Sequence, residues 1–297
     1  MKRIRSFLSR IKRYAASTAK LDKIDEKNPS EELSVLRRQN RRYRSEILKL
    51  QKRLNFLQNR IEKKGGYFLE NKGKVSVDDF YYAFEESFRG SRDLVKNRLQ
   101  MYIPFVEKAI EQTSRKDFLD MGCGRGEWLE ILRDKGILAR GIDSNIRMIK
   151  EAVEKCFIVE QSDALEYMLN LPDNSLSGVS GFHIVEHLPF KDLLELLAEI
   201  HRVIAPGGVL ILETPNPENF NVVTFNFFVD PTHIRPLPPP ALNFMVEHTG
   251  FKKPECIRVS IPTHHDLSAV GPLPGAVKIL NDRLSVGEDY AIIAFKE

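Results

Sequence analysis

The stretch FLDMGCGRGEWLEIL, residues 118–132, places three glycines between an apolar run and a helix-like run. A strand that ends in Gly122-x-Gly124-x-Gly126 and continues into a helix predicts a loop for the close approach of a ligand. The usual dinucleotide fingerprint has its third glycine one position later, where this sequence has Glu127. Because a carboxylate at a helix N-terminus competes with a pyrophosphate, the pattern favours a ligand without phosphates.

A second carboxylate follows at the spacing that a nucleoside site requires. Asp143 closes the next apolar run, 21 residues after Gly122. A carboxylate at the end of a second strand can accept hydrogen bonds from both ribose hydroxyls. A plain tight turn and a helix cap are the alternatives for these residues, and the two features together predict a nucleoside site.

Apolar runs and helical patterns alternate from about residue 75 onward. The helical patterns include residues 191–204, and this alternation predicts an α/β fold with a parallel sheet covered on both faces. The apolar runs span residues 118–121, 137–142, 157–159, 179–184, 209–212, 256–261 and 290–295.

Five segments resemble, in order, the motifs of class I S-adenosylmethionine-dependent methyltransferases: LDMGCGRGEWLEIL, GIDSN, SDALEY, HIVEHLPF and RVIAPGGVLILETPNPEN. The resemblance covers roughly residues 78–297. It implies a Rossmann-like, doubly wound sheet of seven strands with the last strand antiparallel, and S-adenosylmethionine as the cofactor. It implies that Gly122 and Gly124 line the methionine portion and that Asp143 meets the ribose. It also implies that Asp163 and Ala164 meet the adenine, with capping of a helix as the alternative for Asp163. Asp120 and His183 are the remaining cofactor-binding residues that it implies.

Two further segments, YYAFEESFRGS and DPTHIRPLPP, resemble bacterial O-antigen and related polysaccharide methyltransferases, including those that cap a growing chain. In that group a helical segment before the first strand closes over the cofactor. The resemblance implies that Tyr81 and Arg98 contact the amino-acid end of the cofactor, with a packed aromatic and a surface arginine as the alternative. The group often carries a C-terminal coiled coil beside a kinase or glycosyltransferase domain. In this sequence the predicted coiled coil is N-terminal, and no kinase or glycosyltransferase motif appears. Both a sugar hydroxyl and a phosphate therefore remain possible acceptors.

A sugar hydroxyl is a weak nucleophile at neutral pH, so a general base is expected near the methyl group. His187 follows the fourth apolar run and is the first candidate, and Glu186 could orient it or bind a sugar hydroxyl. His183 is expected within the strand beside the cofactor. A helix-entry residue bonded to backbone is the alternative for His187.

The proline-rich stretch FFVDPTHIRPLPPP is the second candidate region for catalysis. Asp230 could orient His233, and Arg235 could bind an acidic sugar or a phosphate. Asn216 is a candidate for binding the acceptor, although turn formation explains it equally well. An Asx-turn with an Asp230–Arg235 salt bridge is the alternative for the loop. Because no single helix presents the histidines and aspartates of this region or of residues 264–266, we predict no metal site.

The N-terminal region is basic, whereas the rest of the chain is acidic. Residues 1–64 hold 20 Lys/Arg and 7 Asp/Glu, a surplus of +13, and the remaining residues hold 25 and 34, a deficit of −9. Residues 1–30 are a basic amphipathic segment, whose residues 1–20 we expect on an anionic membrane surface; a solvated basic terminus and nucleic-acid contact are the alternatives. Residues 31–64 carry apolar heptads over 33–61 that predict a coiled coil, with a single helix packed on the body as the alternative.

Residues 65–76 are then a linker, and residues 77–297 are the methyltransferase domain. The three cysteines have no paired spacing, which favours a cytoplasmic protein, peripheral at the inner face of the cytoplasmic membrane. We expect methyl transfer to a sugar oxygen of a lipid-linked glycan, a homodimer or small oligomer formed through the coiled coil, a possible glycosyltransferase partner and no nucleic acid. A quinone-type small-lipid methyltransferase and a cofactor-binding scaffold for glycosyltransferases are the alternatives.

Overall fold

The computed structural model describes residues 76–259, 279 and 282–297. The chain divides into two compact units, Met1–Lys72 and Gly73–Glu297, and the boundary falls inside the predicted linker. The predicted membrane segment and coiled coil lie outside the described residues and stay predictions. Among the described helices, none has the length and apolar character needed to cross a bilayer.

The described residues contain a seven-stranded sheet in the order β3-β2-β1-β4-β5-β7-β6. Strand β7 runs antiparallel to both of its neighbours, and the other strand pairs are parallel. The predicted fold class is therefore confirmed. The strands are β1 (Phe118–Met121), β2 (Ala139–Asp143), β3 (Val159–Gln161), β4 (Leu176–Phe182), β5 (Ile204–Pro215), β6 (Glu255–Val259) and β7 (Asp289–Phe295).

Helices cover the sheet and precede it. The α-helices are α1 (Val77–Phe88), α2 (Arg92–Leu99), α3 (Ile103–Thr113), α4 (Glu127–Asp134), α5 (Ile146–Glu154), α6 (Ala164–Asn170), α7 (Phe190–Val203), α8 (Phe220–Thr224) and α9 (Pro239–His248). Short 3-10 turns span Gln100–Tyr102, Val185–His187 and Asn226–Phe228. Helix α3 packs on β4 and β5, whereas α1 packs on α5.

The core explains why the apolar runs become central strands. Every residue of β1 and β4 is buried, as expected for parallel strands covered on both faces. Trp128 of α4 packs edge-on against Phe182 and Tyr102, with ring centroids 5.6 and 6.4 Å away. Trp128 and Phe118 are therefore core residues. Burying aromatic rings of this size contributes strongly to stability because each removes a large apolar area from water.

Two of the strand boundaries that differ from the sequence-based expectation lie next to the site. Strand β3 begins at Val159, and Phe157, the first residue of the predicted run, packs against Gly126 of the glycine loop instead. Strand β4 ends at Phe182 because His183 adopts a left-handed backbone with φ 54°, and the chain then turns into Val185–His187. This early end moves His183 out of the strand and to the edge of the sheet.

Candidate active site

The glycine loop connects β1 to α4 at the carboxyl edge of the sheet. Its three glycines have φ values of 61°, 49° and 79°, in the left-handed region that favours glycine. A Cβ on Gly126 would lie 2.7 Å from the Phe157 ring, whereas a Cβ on Gly122 or Gly124 would meet its nearest atoms only at 3.4 Å. Packing of the loop against Phe157 therefore explains Gly126, and ligand approach is left to Gly122 and Gly124.

Asp143 lies at the end of β2 and fastens the loop to it. Its Oδ2 accepts a hydrogen bond of 3.0 Å from the Gly124 N–H, and its Oδ1 accepts one of 2.8 Å from Asn145 N–H. Burial raises the pKa of this carboxyl, and the two backbone donors act in the opposite direction. A carboxylate oxygen has two lone pairs, so each oxygen can still accept a bond from one ribose hydroxyl.

Asp120 is the buried carboxyl of β1. Its Oδ1 accepts a hydrogen bond of 2.7 Å from Ser180 Oγ. Burial raises the pKa of Asp120 to about 7, against the effects of Ser180 and of the Arg89 guanidinium. A cationic ligand group would stabilise its ionised form, and the ammonium of an amino acid is such a group.

Arg89 stands beside the glycine loop, a position that the sequence analysis did not single out. Its Nη1 lies 2.7 Å from Glu85 Oε2 and 3.4 Å from the position that a Cβ on Gly124 would take. Burial opposes its charge, yet Glu85 and Glu127 outweigh this and raise the pKa of the guanidinium. The sequence signal was present, since Arg89 directly follows the last aromatic residue, Phe88, of the segment YYAFEESFRGS.

Arg98, the predicted cofactor contact, lines the same cavity and pairs with two carboxylates. Its Nη2 donates to Asp289 Oδ2 at 2.6 Å and to Glu213 Oε1 at 3.4 Å. Tyr81, by contrast, faces His187 edge-on with ring centroids 6.2 Å apart.

A cavity of about 370 Å³ opens between α1 and the carboxyl edge of the sheet. Aromatic and charged side chains of α1 form one wall, and residues after β4, β5 and α8 form the other. Its lining includes Tyr81, Phe84, Glu85, Phe88, Arg89, Arg98, His183, His187, Asp230 and His233. The structure therefore brings together both predicted catalytic regions and both predicted amino-acid-end contacts.

His187 is held in one tautomer by its neighbours. Thr232 Oγ1 donates to Asp230 Oδ1 at 2.6 Å and lies 2.9 Å from His187 Nδ1. Since the threonine proton is committed to Asp230, the bond to His187 requires a proton on Nδ1. This leaves the Nε2 lone pair to accept a proton. Burial lowers the pKa of His187, so the ring is neutral at physiological pH.

His233 is also fixed, although not by the predicted partner. Its Nδ1 donates to the Phe227 carbonyl at 2.6 Å. The predicted pairing with Asp230 is wrong: His233 Nε2 lies 3.8 Å from Asp230 Oδ2, beyond hydrogen-bond distance. Asp230 instead accepts bonds from the Thr232 hydroxyl and the Thr232 N–H, at 2.6 and 2.7 Å. The free Nε2 of His233 lies 3.9 Å from Glu186 Oε1.

Glu186 lies at the base of the histidine pair and is fully buried. Its Oε2 accepts a hydrogen bond of 2.9 Å from Thr214 Oγ1, and its Oε1 lies 3.4 Å from His183 Nδ1. The prediction that Glu186 orients His187 is therefore wrong, because its neighbours are Thr214 and His183.

His183 lies among three carboxylates that sequence reasoning did not place together. Its Nε2 lies 3.3 Å from Glu213 Oε1 and 3.8 Å from Asp289 Oδ1. Burial opposes a charge on the ring, yet Asp289, Glu186 and Glu213 outweigh it and raise the pKa of His183 well above its usual range. Glu213 also accepts a short hydrogen bond from the Tyr102 hydroxyl.

Comparison with known proteins identifies the domain. Residues 94–255 match a family model described as "Methyltransferase domain". The chain belongs to this methyltransferase domain family. It is similar to a SAM dependent methyltransferase from Archaeoglobus fulgidus whose crystal structure is known. The two are 38% identical with a TM-score of 0.64, and the match covers 73% of this chain and 100% of the other.

Curated relatives match the same domain over part of their length. A probable S-adenosylmethionine-dependent methyltransferase of Mycolicibacterium smegmatis is 27% identical over 153 residues, 52% of this chain and 58% of the relative. The 2-methyl-6-phytyl-1,4-hydroquinone methyltransferase of Synechocystis is 30% identical over 157 residues, 48% of this chain and 47% of the relative. The chain thus spans about half the length of these curated relatives.

The domain is a class I methyltransferase domain, and S-adenosylmethionine is its cofactor. The residues at the glycine loop fit that molecule in chemical type. Arg89 offers a guanidinium for its carboxylate, Asp120 a carboxyl for its ammonium, and Asp143 a carboxylate for its ribose diol. No phosphate-binding group is needed, in agreement with Glu127 at the start of α4.

The remaining predicted site residues make contacts within the protein. Asp163 caps α6 by accepting a bond from Glu166 N–H at 3.1 Å, and Ala164 is the first residue of that helix. Asn216 is buried, and its amide donates to the Gly287 carbonyl at 2.9 Å. Arg235 stacks on Phe190, 5.2 Å from its ring centroid, beside a separate apolar cavity.

Proposed function

We propose that the protein transfers a methyl group from S-adenosylmethionine to an oxygen of a sugar, or of a terminal phosphate, in the biosynthesis of a bacterial surface polysaccharide. One observation supports oxygen as the methyl acceptor. His187 lines the cavity with Nε2 available to accept a proton, while its Nδ1 is held by Thr232, which Asp230 anchors. A sugar hydroxyl needs a proton acceptor, because its own pKa lies far above neutrality. The segments YYAFEESFRGS and DPTHIRPLPP support a polysaccharide acceptor through their resemblance to that group of enzymes.

The cofactor supplies a methyl carbon that the adjoining sulfonium makes electrophilic. The chain's own residues then have three tasks. Arg89, Asp120 and Asp143 hold the cofactor in place. The aromatic residues of α1 cover the cavity and exclude water, which aids alignment of the acceptor oxygen. His187 accepts the hydroxyl proton at Nε2, and the Thr232–Asp230 pair stabilises the resulting imidazolium.

A small-lipid acceptor of the quinone type is the second candidate. It is supported by the 30% identity to the hydroquinone methyltransferase of Synechocystis. The two candidates share the cofactor site and the proton acceptor and differ in the molecule that enters the cavity. A bulky polar glycan and a planar ring with an apolar tail separate readily on extraction.

The experiment combines purified protein, methyl-labelled S-adenosylmethionine and a bacterial membrane extract, and sorts the label among glycolipid, small lipid, protein and nucleic acid. We expect label in glycolipid, abolished by Asp143→Ala and reduced about a hundredfold or more by His187→Ala. His248→Ala is the matched control, since His248 is an exposed histidine of α9 and should leave labelling unchanged. Label in small lipid would favour the quinone-type acceptor. Cofactor binding without any label, in an extract that contains acceptor, would favour a scaffold.

A further inference from the structure

Three potential metal ligands converge at the sheet-side wall of the cavity. Glu186, His187 and His233 each present one ligand atom, and these atoms all lie within 4.8 Å of one another. We propose that Glu186, His187 and His233 bind a divalent transition-metal ion, with zinc as the cation that suits them best. The ligands come from two separate loops that only folding brings together, so the expectation of no metal site missed this cluster.

Both histidines are arranged as metal ligands usually are. A ligating imidazole presents one nitrogen lone pair and donates its other N–H to a fixed partner. His233 donates from Nδ1 to the Phe227 carbonyl at 2.6 Å. His187 donates from Nδ1 to Thr232, which Asp230 anchors in turn. The two rings lie 4.7 Å apart, and each keeps Nε2 for a ligand.

Glu186 supplies the independent observation. Its side chain is fully buried, and within the part of the chain that the structure describes its Oε1 has no hydrogen-bond partner. Its ion-pair contacts are His183 Nδ1 at 3.4 Å and His233 Nε2 at 3.9 Å, both longer than a good hydrogen bond. The oxygen is therefore only partly compensated, and a cation between Glu186 and the two histidines would satisfy it.

The charge around the three ligands favours a cation. Two positive groups, Arg98 and the imidazolium of His183, lie close to the carboxylates at the base of the cavity. Four carboxylates surround the same space, so a surplus of negative charge remains: Glu186, Glu213, Asp230 and Asp289.

The geometry needs only a modest adjustment of side chains. With bonds of about 2.1 Å, two ligand atoms of a tetrahedral zinc lie about 3.4 Å apart. The 3.9 Å between Glu186 Oε1 and His233 Nε2 must then shorten by about 0.5 Å, and the other two separations, at most 4.8 Å, by at most about 1.4 Å. Two histidines and one glutamate form a recognised catalytic zinc set that leaves the fourth position to substrate. Here two of the three ligands, His187 and His233, line the cavity.

Another candidate cluster is already neutralised. His183, Glu213 and Asp289 also lie within ligand distance of one another. Arg98 pairs with both carboxylates of this cluster, and the Tyr102 hydroxyl donates to Glu213. A cation there would have to displace a guanidinium. The histidine pair with Glu186 is therefore the better site.

The inference rests on the proposed function and deepens it, since a divalent cation lowers the pKa of a hydroxyl beside it. With zinc on Nε2 of His187, that nitrogen no longer accepts the proton, and an acceptor hydroxyl bound to the metal would release its proton to solvent before methyl transfer. Methyl transfer with imidazole as the base remains possible without the metal, so the two proposals can fail separately.

The test measures zinc binding directly. The untagged full-length chain is stripped with EDTA, titrated with zinc chloride by calorimetry, and analysed for bound zinc after gel filtration. We expect one zinc per chain in this site, and a loss of at least about tenfold in affinity in Glu186→Gln and His233→Ala. Glu186→Gln is nearly isosteric, and circular dichroism checks that each variant folds. His264→Ala/His265→Ala is the control for the other histidine pair of the sequence and should retain the site.

Cobalt(II) gives a second readout, because the visible absorption of the cobalt-loaded chain depends on the ligand set and geometry. We expect a tetrahedral spectrum that Glu186→Gln alters. Absence of saturable binding, or binding that Glu186→Gln and His233→Ala leave unchanged, would overturn the metal site. Labelling that persists in the stripped enzyme without zinc binding would retain the proposed function and reject the metal. Zinc binding without methyl transfer to any acceptor would retain the metal site and reject the proposed function.

Discussion

At the scale of single residues, Thr232 has the most specific role outside the predicted set. Its hydroxyl joins His187 Nδ1 to Asp230 at 2.9 and 2.6 Å. We expect Thr232→Val, which keeps the shape and removes the hydroxyl, to lower kcat about ten- to a hundredfold, because the imidazole loses its anchor. The dissociation constant of S-adenosylmethionine should stay the same. Thr232→Ser should restore most of the rate, and full activity of Thr232→Val would exclude the link.

Asp120 gives a prediction about pH and stability. Burial raises its pKa from 3.8 to about 7 in the folded protein. Its contribution to stability is therefore complete below about pH 3.8 and is lost as pH rises through about 7. Relative to the parent, the free energy of unfolding of Asp120→Asn should therefore rise between about pH 5 and pH 8, by at most about 3 kcal/mol. Denaturant titrations of the cofactor-free proteins at both pH values measure the difference.

The control for Asp120 is Asp134→Asn, because Asp134 is exposed at the end of α4. This variant should differ from the parent by the same small amount at both pH values. If the difference in unfolding free energy between Asp120→Asn and the parent were also the same at both pH values, Asp120 would ionise in the folded protein as it does in water. The same substitution should weaken cofactor binding, since an amide cannot neutralise an ammonium group.

At the scale of elements, the glycine loop separates packing from ligand approach. A Cβ at Gly126 would lie 2.7 Å from Phe157, whereas one at Gly136, with a similar positive φ of 73°, would meet no atom within 4 Å. We expect Gly136→Ala to cost about 1 kcal/mol of unfolding free energy from backbone strain alone. Gly126→Ala should cost about 1–3 kcal/mol more because of overpacking. Chemical denaturation without cofactor measures both costs. Equal costs would mean that contact with Phe157 does not explain Gly126, and that approach of a ligand is the better explanation.

The elements also explain how far the sequence could predict the structure. Strand β1 was predicted with its exact bounds because an apolar run passes directly into glycine. The end of β4 was not, since a left-handed His183 leaves no periodic signal. His187 and His233 were each found by position and chemistry. Their partners Thr232 and Phe227 were missed because hydrogen bonds between loops depend on side-chain direction, which spacing does not specify.

At the scale of the whole molecule, the two units permit a test of independent folding. Residues 73–297 contain the complete sheet and the cavity with its cofactor loop. We expect a protein of residues 73–297 to fold cooperatively and to bind S-adenosylmethionine within about threefold of the full chain's affinity, because no described cofactor residue lies outside it. Calorimetric titration measures this. A large loss of affinity would mean that the N-terminal unit takes part in the cofactor site.

The charge asymmetry of the whole chain gives the last prediction. Residues 1–64 carry a surplus of +13, and the rest of the chain carries −9, so attraction to an anionic surface depends on the N-terminal unit. Each basic residue near such a surface contributes about 1 kcal/mol, and salt screens this attraction. We expect the full chain to sediment with phosphatidylglycerol vesicles at low salt and to be released at high salt, whereas residues 73–297 stay in solution. Phosphatidylcholine vesicles are the control for apolar insertion alone. Equal sedimentation of both proteins would place membrane contact on the catalytic unit instead.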